Sequence, residues 1–530
     1  MKGRAHHTRA LALYNRFSRG DLNIVNRRDF LATAGAATLS AISTPSPAQE
    51  NTEAAAPTKN RPNVLLIMAD QHKRSCMGVC GDAVAKTPNL DQLAQQSVRF
   101  TNAYCNNPVC APSRASMMTG LYSHNLHDAM ERPYGPRFAT MPTRFGDAGY
   151  FTGLIGKMHA VDAQLHGFQY QLEFNDWFQA IGPAAQLYAN ELGAPNSGAG
   201  QPQIRSLWRR GDPWKGHRTP DHRLGSVAVG RPSIMPEEEH FEEFVSSETV
   251  RFLETYAEQD KPFFLISSFL KPHDPFMPAQ PFAGMFAPEE MSLSPTWGKA
   301  HLDAMPRRVR DYIVRCPHTP ELLQAPEAKK RIAYYYGNLA QTDHCAGEVL
   351  GALKRLGLEE NTIVIYTSDH GEMLSDLGLW NKFQFYEGSC GVPLMFKLPG
   401  ASPAVCHAPV SLVSLSSTLA DLCGIPDQGS HDGKSFADLV RDPASTRDPG
   451  PVFAEFSLGN SAAKYMIRDG GWKYTYWVDD MPELYDLSSD PQELNNLALL
   501  PSYAAKVEEL KQKLFEWHTP PVWQGVPTRA

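Results

Sequence analysis

Four apolar runs, each leading directly into polar or charged residues, constrain the fold of this 530-residue chain more than any other feature. The runs are PNVLLIMADQ, GYFTGLIGKMH, KPFFLISSFLKPHDPF and NTIVIYTSDHGE. Their apolar residues are continuous rather than alternating, which is typical of strands buried on both faces in a parallel sheet. Stretches with helical spacing, such as TPNLDQLAQQSVRF and AKKRIAYYYGNLAQTDHCAGEVLGALKRLGL, lie between them. The alternation predicts an α/β fold, a doubly wound and mostly parallel sheet flanked by helices.

The ends of these runs place reactive side chains at one edge of the predicted sheet. In doubly wound folds, ligands bind beyond the carboxyl ends of the parallel strands. Taken alone, each of these residues is better explained as a cap, a turn residue or a structural histidine. Four endings that converge nevertheless predict a functional site. The side chains at the four ends are Asp70 and Gln71, then Lys157 and His159, then Lys271, His273 and Asp274, and finally Asp369, His370 and Glu372.

The segment NNPVCAPSRASMMTG predicts a helix that begins near Cys110, with Pro112 in its first turn. The helix dipole would then favour negative charge at Cys110, and Arg114 lies four residues further along the same face. From the residues alone, the thiol is a nucleophile, a metal ligand, half of a disulfide or a buried side chain. A reactive group at this position would have a cation beside it.

The first 60 residues differ from the rest of the chain. The stretch NRRDFLATAGAATLSAISTPSPAQE has paired arginines, Arg27 and Arg28, then a weakly apolar run and a small-residue cleavage pattern that ends at Ala48. It is typical of a twin-arginine signal peptide at residues 1–48, with a flexible lead-in at 49–60. A disordered basic tail is the alternative. The signal predicts a periplasmic or extracellular protein exported by the twin-arginine translocase. No apolar run reaches the ~18 residues that span a bilayer, so we expect no stable membrane anchor.

Net charge and cysteine spacing argue against two classes of function. The formal net charge of -7 argues against general nucleic-acid binding. Nine cysteines are present, but their spacing shows no repeated CxxC pattern that would indicate a zinc site. An exported protein can hold disulfides, yet we expect most of these cysteines to be small buried side chains.

Several motifs together resemble the type I sulfatases, a family within the alkaline phosphatase superfamily. The motif CAPSR at residues 110–114, followed by TG at 119–120, is similar to the signature of that family. The resemblance spans roughly residues 60–500, through NVLLIMADQ, KTPNLDQLAQQSVRFTNAYC, GKMH, KPHDPF, SDHGE, YEGSCGVPLMF and KYTYWVDDMPELYDLSSDPQELNNLA. It implies an alkaline-phosphatase-like catalytic domain at residues 61–445 and a smaller antiparallel-sheet subdomain at residues 446–530.

The resemblance implies a sulfatase, a sulfuric ester hydrolase with a formylglycine nucleophile. In the family, the cysteine that matches Cys110 is oxidised after translation to formylglycine, an aldehyde whose hydrate attacks sulfur. A formylglycine-generating enzyme or a radical sulfatase maturase is therefore an expected partner. Family members also bind a divalent cation, usually Ca²⁺, with Mn²⁺ or Mg²⁺ as alternatives. The matching ligands in this chain are Asp70, Gln71, Cys110, Asp369 and His370.

The remaining matches supply the rest of the implied reaction, which converts a sulfate monoester into an alcohol and inorganic sulfate. Arg114 would position the formylglycine hydrate, and Lys157 and Lys382 would bind sulfate oxygens. His159 would accept a proton from the hydrate, and His273 or Lys382 would protonate the leaving alcohol. Four nearby residues are equally expected to line the pocket or to be structural, namely His124, His127, Asp162 and Trp380.

Three positions depart from the common arylsulfatase pattern. Gln71 and His370 stand where those enzymes have Asp and Asn, a variation that resembles choline sulfatases and phosphonate monoester hydrolases. Gly391 stands where the family usually has an arginine before Val-Pro, so we expect the supporting role of that arginine to be absent or replaced. Choline or alkyl sulfates, and phosphonate monoesters or phosphodiesters, are therefore alternative substrates.

A basic segment at residues 201–231 bears on the substrate. It holds seven arginine and lysine side chains against two aspartates, a net of +5 in a chain of net charge -7. Long loops in compact domains are often lids or binding loops, and a solvated or oligomer-contacting insertion is the alternative. With Trp208 and Trp214, the basic side chains would suit a polyanionic, ring-bearing substrate. Sulfated carbohydrate is therefore the preferred substrate class, with small sulfated molecules as the alternative.

Overall fold

A computed structural model of the protein describes the chain between residues 61 and 520, with gaps. Four predicted features lie outside the described residues, namely the signal peptide and lead-in at 1–60, His127, Asp162, and residues 201–229 of the basic segment. The described residues are 61–126, 138–159, 166–184, 230–298, 302–315, 324–426, 429, 431–445, 447–458 and 461–520.

The larger of two β-sheets contains the four apolar runs that the sequence indicated. Its nine strands are β1 (Asn63–Asp70), β2 (Val98–Tyr104), β3 (Phe151–Gly156), β4 (Tyr170–Leu172), β5 (Phe263–Pro272), β6 (Thr362–Ser368), β7 (Gly391–Lys397), β8 (Ala404–Cys406) and β9 (Val410–Ser411). They lie in the order β4-β3-β5-β1-β6-β7-β2-β8, with β9 beside β2. β1 pairs in parallel with β5 and β6, whereas β7 runs antiparallel to β6 and β2. The sheet is therefore mixed but mostly parallel.

The central strand β1 shows why its sequence is continuously apolar. All eight of its residues are buried. Val64 and Leu66 pack into one apolar cluster, and Leu65 and Ile67 pack into another. Because alternate side chains of a strand point to opposite faces, each face of the sheet has its own core. The prediction of a doubly wound α/β sheet is confirmed.

Helices cover both faces of this sheet. The helices at 110–119, 141–147, 415–422 and 437–441 pack into the cluster that contains Val64, and those at 88–94, 174–181, 241–256 and 325–355 pack into the cluster that contains Leu65. Within the described ranges, no helix is both long and apolar enough to cross a membrane. The helices are α1 (Pro88–Ala94), α2 (Cys110–Thr119), α3 (Met141–Asp147), α4 (Phe174–Ile181), α5 (Phe241–Tyr256), α6 (Arg307–Arg315), α7 (Ala325–Arg355), α8 (Glu387–Cys390), α9 (Leu415–Leu422), α10 (Ala437–Arg441) and α11 (Ala504–Trp517).

A second sheet follows in the chain and is antiparallel throughout. Its strands are β10 (Val452–Phe456), β11 (Lys464–Asp469), β12 (Trp472–Trp477) and β13 (Glu483–Asp486), paired in that order. Helix α11 packs Leu510 and Leu514 against Ile467 and Tyr474 of this sheet. The predicted antiparallel subdomain is therefore confirmed. Its first strand begins at Val452, while the boundary at residue 446 stays a prediction.

The cysteines of the described chain are all free thiols. Seven are buried and Cys80 is half-buried, as expected for small side chains that fill the core. Cys316 lies outside the described residues. The eight described cysteines are Cys76, Cys80, Cys105, Cys110, Cys345, Cys390, Cys406 and Cys423.

Candidate active site

The parallel pairing of β1 with β6 places two carboxylates side by side. Ala69 lies opposite Ser368, so Asp70 and Asp369 come next on neighbouring strands. His370 follows Asp369, and its Nε2 atom lies 3.6 Å from Asp70 Oδ1 and 3.6 Å from Asp369 Oδ1. All three side chains are fully buried. Two carboxylates and an imidazole therefore face one another at the carboxyl edge of the sheet.

Cys110 is the first residue of α2 and points into this group. Its Sγ atom lies 3.0 Å from His370 Nε2 and 3.6 Å from Asp70 Oδ1. Ligand atoms of Cys110, Asp70, Asp369 and His370 all lie within 4.8 Å of one another. The thiol is thus buried among charged and polar groups rather than in apolar packing, which fits a reactive group or a ligand.

Gln71 is held by contacts at both ends of its side-chain amide. Its Oε1 atom accepts a hydrogen bond from Lys382 Nζ at 2.8 Å, and its Nε2 atom donates to Glu372 Oε2 at 2.5 Å. The backbone N–H donates to Asp369 Oδ1 at 3.2 Å. Gln71 has a φ of 67°, a left-handed conformation that is uncommon for a residue other than glycine and is often found at functional sites.

Arg114 is a buried cation that bridges the two carboxylates. Its Nε atom donates to Asp369 Oδ2 at 2.7 Å and its Nη2 atom to Asp70 Oδ2 at 3.2 Å. Its Nη1 atom donates to the backbone oxygen of Lys157 at 2.5 Å. Burial opposes the charge of Arg114, but Asp369 and Asp70 outweigh burial and raise the pKa of its guanidinium. Arg114 therefore holds both carboxylates, and its role in positioning the formylglycine hydrate stays a prediction.

Two lysines make the position of Cys110 electropositive. Lys382 Nζ lies 3.1 Å from Cys110 Sγ, and Lys157 Nζ donates to Asp70 Oδ2. Burial opposes a thiolate, but Lys157, Lys382 and His370 outweigh burial and hold the pKa of the Cys110 thiol well below its ordinary value. Any oxyanion that forms at this position would be stabilised in the same way.

Two histidines border the same centre. His273 Nε2 lies 2.8 Å from Lys382 Nζ and 3.9 Å from Asp70 Oδ1. Its Nδ1 atom lies 2.5 Å from the backbone oxygen of Asp274 and 3.3 Å from Asp274 Oδ1, which orients the ring. His159 has a φ of 64° and hydrogen-bonds with the side chain of Cys110. Both rings are therefore placed for proton transfer beside position 110.

The donor set fits a divalent cation. Carboxylate oxygens of Asp70 and Asp369 and the His370 nitrogen converge with Cys110 Sγ, and like-charged oxygens that face one another are stabilised by a cation between them. Hard oxygen ligands suit Ca²⁺, and the imidazole nitrogen also suits Mn²⁺. Asp70, Asp369, His370 and the group at position 110 are close enough together to hold the cation, and Gln71 remains the fifth predicted ligand.

The structure brings all ten predicted site residues into this cluster, but Lys271 points elsewhere, with its Nζ atom 3.2 Å from Glu242 Oε2. Sequence reasoning gave no role to Glu372 or Asp274, although both lie within the quoted motifs SDHGE and KPHDPF. Their closeness to the site residues was the available signal. The ten residues are Asp70, Gln71, Cys110, Arg114, Lys157, His159, His273, Asp369, His370 and Lys382.

The missing arginine before Val-Pro is replaced in space by Arg74. A Cβ atom added at Gly391 would lie 3.0 Å from Arg74 Cζ. Arg74 also pairs with Glu387, its Nη2 atom 2.5 Å from Glu387 Oε2. A guanidinium group therefore lies beside Gly391, supplied by the loop after β1.

Two of the residues considered for the pocket wall have structural contacts instead. His124 Nδ1 lies 2.8 Å from Glu455 Oε2, and its ring stacks on His518 with a centroid distance of 4.1 Å. Trp380 is buried in an apolar cluster with its ring beneath the guanidinium of Arg331. His124 links the larger domain to the second sheet, and Trp380 supports the loop that precedes Lys382.

Comparisons with known proteins agree with this architecture. A family model described as Sulfatase matches residues 62–425, and one described as N-sulphoglucosamine sulphohydrolase, C-terminal, matches residues 375–519. The choline-sulfatase of Rhizobium meliloti (strain 1021) is 32% identical, over 83% of this chain and 83% of that protein. The arylsulfatase of Clostridium perfringens (strain 13 / Type A) is 31% identical, over 86% of this chain and 94% of that protein.

A solved structure shares the same arrangement of elements. The phosphonate monoester hydrolase of Agrobacterium radiobacter superposes with a TM-score of 0.70 and 26% identity, over 86% of this chain and 95% of that chain. The resemblance that the motifs indicated is thus confirmed by both sequence and structure. This chain belongs to the sulfatase family of hydrolases, within the alkaline phosphatase superfamily.

Proposed function

We propose that this chain hydrolyses sulfate monoesters to an alcohol and inorganic sulfate, with formylglycine derived from Cys110 as the nucleophile. The surroundings of Cys110 Sγ carry the proposal, since His370 Nε2 lies 3.0 Å away and Lys382 Nζ 3.1 Å away. These groups stabilise negative charge at position 110, so they would also stabilise a hydroxyl of hydrated formylglycine as it loses its proton. Hydrated formylglycine supplies one hydroxyl to attack sulfur and a second whose deprotonation expels sulfate and regenerates the aldehyde.

A divalent cation, Ca²⁺ in first place and Mn²⁺ or Mg²⁺ as alternatives, would be held by Asp70, Gln71, Asp369, His370 and the formylglycine at position 110. Such a cation lowers the pKa of a hydroxyl that it contacts and offsets the charge of the sulfate group. The proposal is supported by the pairing of β1 with β6, since Asp70, Gln71, Asp369 and His370 lie at the ends of these two neighbouring strands.

The remaining side chains have separate tasks. Lys157 and Lys382 would neutralise sulfate oxygens, because both ammonium groups border the position of Cys110. His273 would hold a proton at Nε2 for the leaving alcohol, with its ring oriented by Asp274 at Nδ1. Arg114 would hold the carboxylates of Asp70 and Asp369 in place through its two ion pairs.

Maturation and export fit the burial of Cys110. Its side chain is 3% exposed, so an enzyme that oxidises it must act before the chain folds. A formylglycine-generating enzyme or a radical sulfatase maturase would therefore act in the cytoplasm. The twin-arginine translocase carries folded proteins and would then export the mature enzyme to the periplasm or beyond.

Two substrate classes are distinguished by different observations. Sulfated carbohydrate is the first candidate, because the basic segment at residues 201–231 suits a polyanion. Choline or alkyl sulfate is the second, because the 32% identical relative is a choline-sulfatase and because Gln71 and His370 follow that variation.

Mass spectrometry of the peptide that contains residue 110, from active protein, tests the nucleophile. We expect the aldehyde and an inactive Cys110→Ala variant; active protein with only a thiol at this position would contradict the proposal. Rates on sulfated oligosaccharides, choline sulfate, an aryl sulfate and a phosphonate monoester then assign the substrate. A strong preference for the phosphonate would overturn the sulfatase assignment.

A further inference from the structure

Glu372 is a buried carboxylate with three hydrogen-bond donors and no assigned role. Its side chain is fully buried. Oε2 accepts from Gln71 Nε2 at 2.5 Å, and Oε1 accepts from the backbone N–H groups of Asn381 at 2.6 Å and Leu374 at 3.0 Å. One carboxylate thus joins the residue that follows β1 to the loop that precedes Lys382.

The contact with Gln71 fixes which end of the amide faces the site. A glutamine amide has a donor end and an acceptor end, and it can turn over. Glu372 only accepts hydrogen bonds, and the ammonium of Lys382 only donates them. One orientation satisfies both neighbours, with Nε2 towards Glu372 and Oε1 towards Lys382. A cation can bind the amide only through that oxygen.

The contact of Glu372 with Asn381 fixes the position of Lys382. Asn381 has a φ of 63°, and its backbone oxygen accepts from Met373 N at 2.8 Å. Together with the bond to Glu372, this contact closes the loop between residues 373 and 381. Lys382 is the next residue, and its Nζ atom reaches Gln71 Oε1, Cys110 Sγ and His273 Nε2.

We propose that Glu372 is a positioning residue that sets the polarity of Gln71 towards the divalent cation and the place of Lys382. The inference rests on the proposed function, since it gives Gln71 its task as a metal ligand. Outer partners of metal ligands fix ligand orientation, and their loss typically weakens metal binding about 10- to 100-fold.

The test is Glu372→Gln in the full-length protein, with Ca²⁺ binding measured by titration calorimetry after removal of bound metal. The new amide keeps its oxygen for Asn381 and Leu374 and turns its NH₂ group towards Gln71. Gln71 must then turn over and present its own NH₂ group to Lys382 and the cation. We expect Ca²⁺ affinity to fall about 10- to 100-fold.

Exchange of the two residues tests whether Ca²⁺ binding can be rescued. A variant that had only lost stability would not regain Ca²⁺ affinity in this way. In Gln71→Glu/Glu372→Gln, the carboxylate at residue 71 can only accept hydrogen bonds. One of its oxygens accepts from the NH₂ group of residue 372, and the other again faces the cation. We expect the double variant to recover most of the lost Ca²⁺ affinity. Gln71→Glu alone would bring two carboxylates within 2.5 Å, so it should be less stable than the double variant.

Asp343→Asn is the matched control. Asp343 is also a buried carboxylate, and it accepts from two backbone N–H groups and one side-chain amide, those of Asn89 and Leu90. It lies on α7, and its partners Asn89 and Leu90 are not among the ten site residues. We expect this variant to lose stability but to bind Ca²⁺ as the wild type does.

Three outcomes would overturn the role of Glu372. The first is wild-type Ca²⁺ affinity in Glu372→Gln. The second is an equal loss of Ca²⁺ affinity in Asp343→Asn. The third is a double variant that binds Ca²⁺ no more tightly than Glu372→Gln does. If Glu372→Gln does not fold, the stability of Gln71→Glu is compared with that of the double variant. A double variant that is no more stable than Gln71→Glu would then overturn the role. A wild-type protein that binds neither Ca²⁺, Mn²⁺ nor Mg²⁺ would instead refute the metal site of the proposed function, and this role with it.

Discussion

Replacement of His273 by asparagine should slow the reaction by a factor that depends on the leaving alcohol. His273 Nε2 and Lys382 Nζ lie 2.8 Å apart beside position 110, so either could supply the proton. An imidazolium, with an ordinary pKa of about 6.5, releases a proton at neutral pH far more readily than an ammonium at about 10.4. Burial and Lys382 lower the pKa of His273, but Asp274 and Asp70 outweigh them and raise it.

The size of the effect follows from the acidity of the alcohol. A positioned general acid contributes about 10²- to 10⁴-fold to the rate when the leaving group needs a proton. A nitrophenolate leaves with little help, so His273→Asn should cost about tenfold or less with an aryl sulfate of that kind. An alkyl or sugar alcohol needs the proton in full, so the loss should approach the upper end of that range.

The assay is kcat/KM for a series of sulfate esters with leaving alcohols of increasing pKa, with formylglycine content and bound metal matched between variants. The plot of log kcat/KM against that pKa should be steeper for His273→Asn than for the wild type. Lys382→Met is the control. Loss of a charge that binds sulfate should lower kcat/KM by a similar factor for every ester. A His273→Asn line parallel to the wild type, with a steeper Lys382→Met line, would assign the proton to Lys382 instead.

Three further outcomes are expected. Cys110→Ser should fold with an unchanged thermal midpoint and turn over at most once, because an ester on serine lacks the second hydroxyl; steady multiple turnover in a burst assay would contradict this. Burial lowers the pKa of Lys464 to about 7 despite Glu483, so the unfolded chain binds more protons between pH 7 and 9.5. Relative to Lys464→Met, the wild type should therefore gain about 3 kcal/mol of unfolding free energy over that range in urea titrations, and a flat difference would refute it. Gly391→Ala should cost about 1–3 kcal/mol by the same method, since its Cβ atom would lie 2.6 Å from Glu387 O, and an unchanged midpoint would count against that contact.

The sheet and the meeting of Asp70 with Asp369 were predictable because their signals are local. The continuous apolar run of β1 follows from burial on two faces, and a polar pair at its end is visible within ten residues of sequence. Parallel pairing then places Asp70 beside Asp369 without further information. Because ligands bind at this edge of doubly wound sheets, the position of the candidate site could also be predicted.

The orientation of the site residues was not predictable, because their partners are distant in sequence. Gln71 takes its polarity from Glu372 and Lys382, which lie 301 and 311 residues further along the chain. Arg74 fills the space beside Gly391 only after β1 and β7 are packed in one sheet. Spacing within a motif cannot show which of several buried carboxylates or guanidinium groups will meet.

The cations around position 110 bear on the choice between sulfate and phosphonate. Both esters carry one negative charge at neutral pH, so charge alone does not separate them. A sulfate monoester presents three terminal oxygens, however, whereas a phosphonate monoester presents two and a carbon. Lys157, Lys382 and a cation held by Asp70 and Asp369 would be three partners for those oxygens. With a phosphonate, one of these partners would face carbon and lose its solvation without gaining a contact. The number of cationic groups at this site therefore favours the sulfate ester.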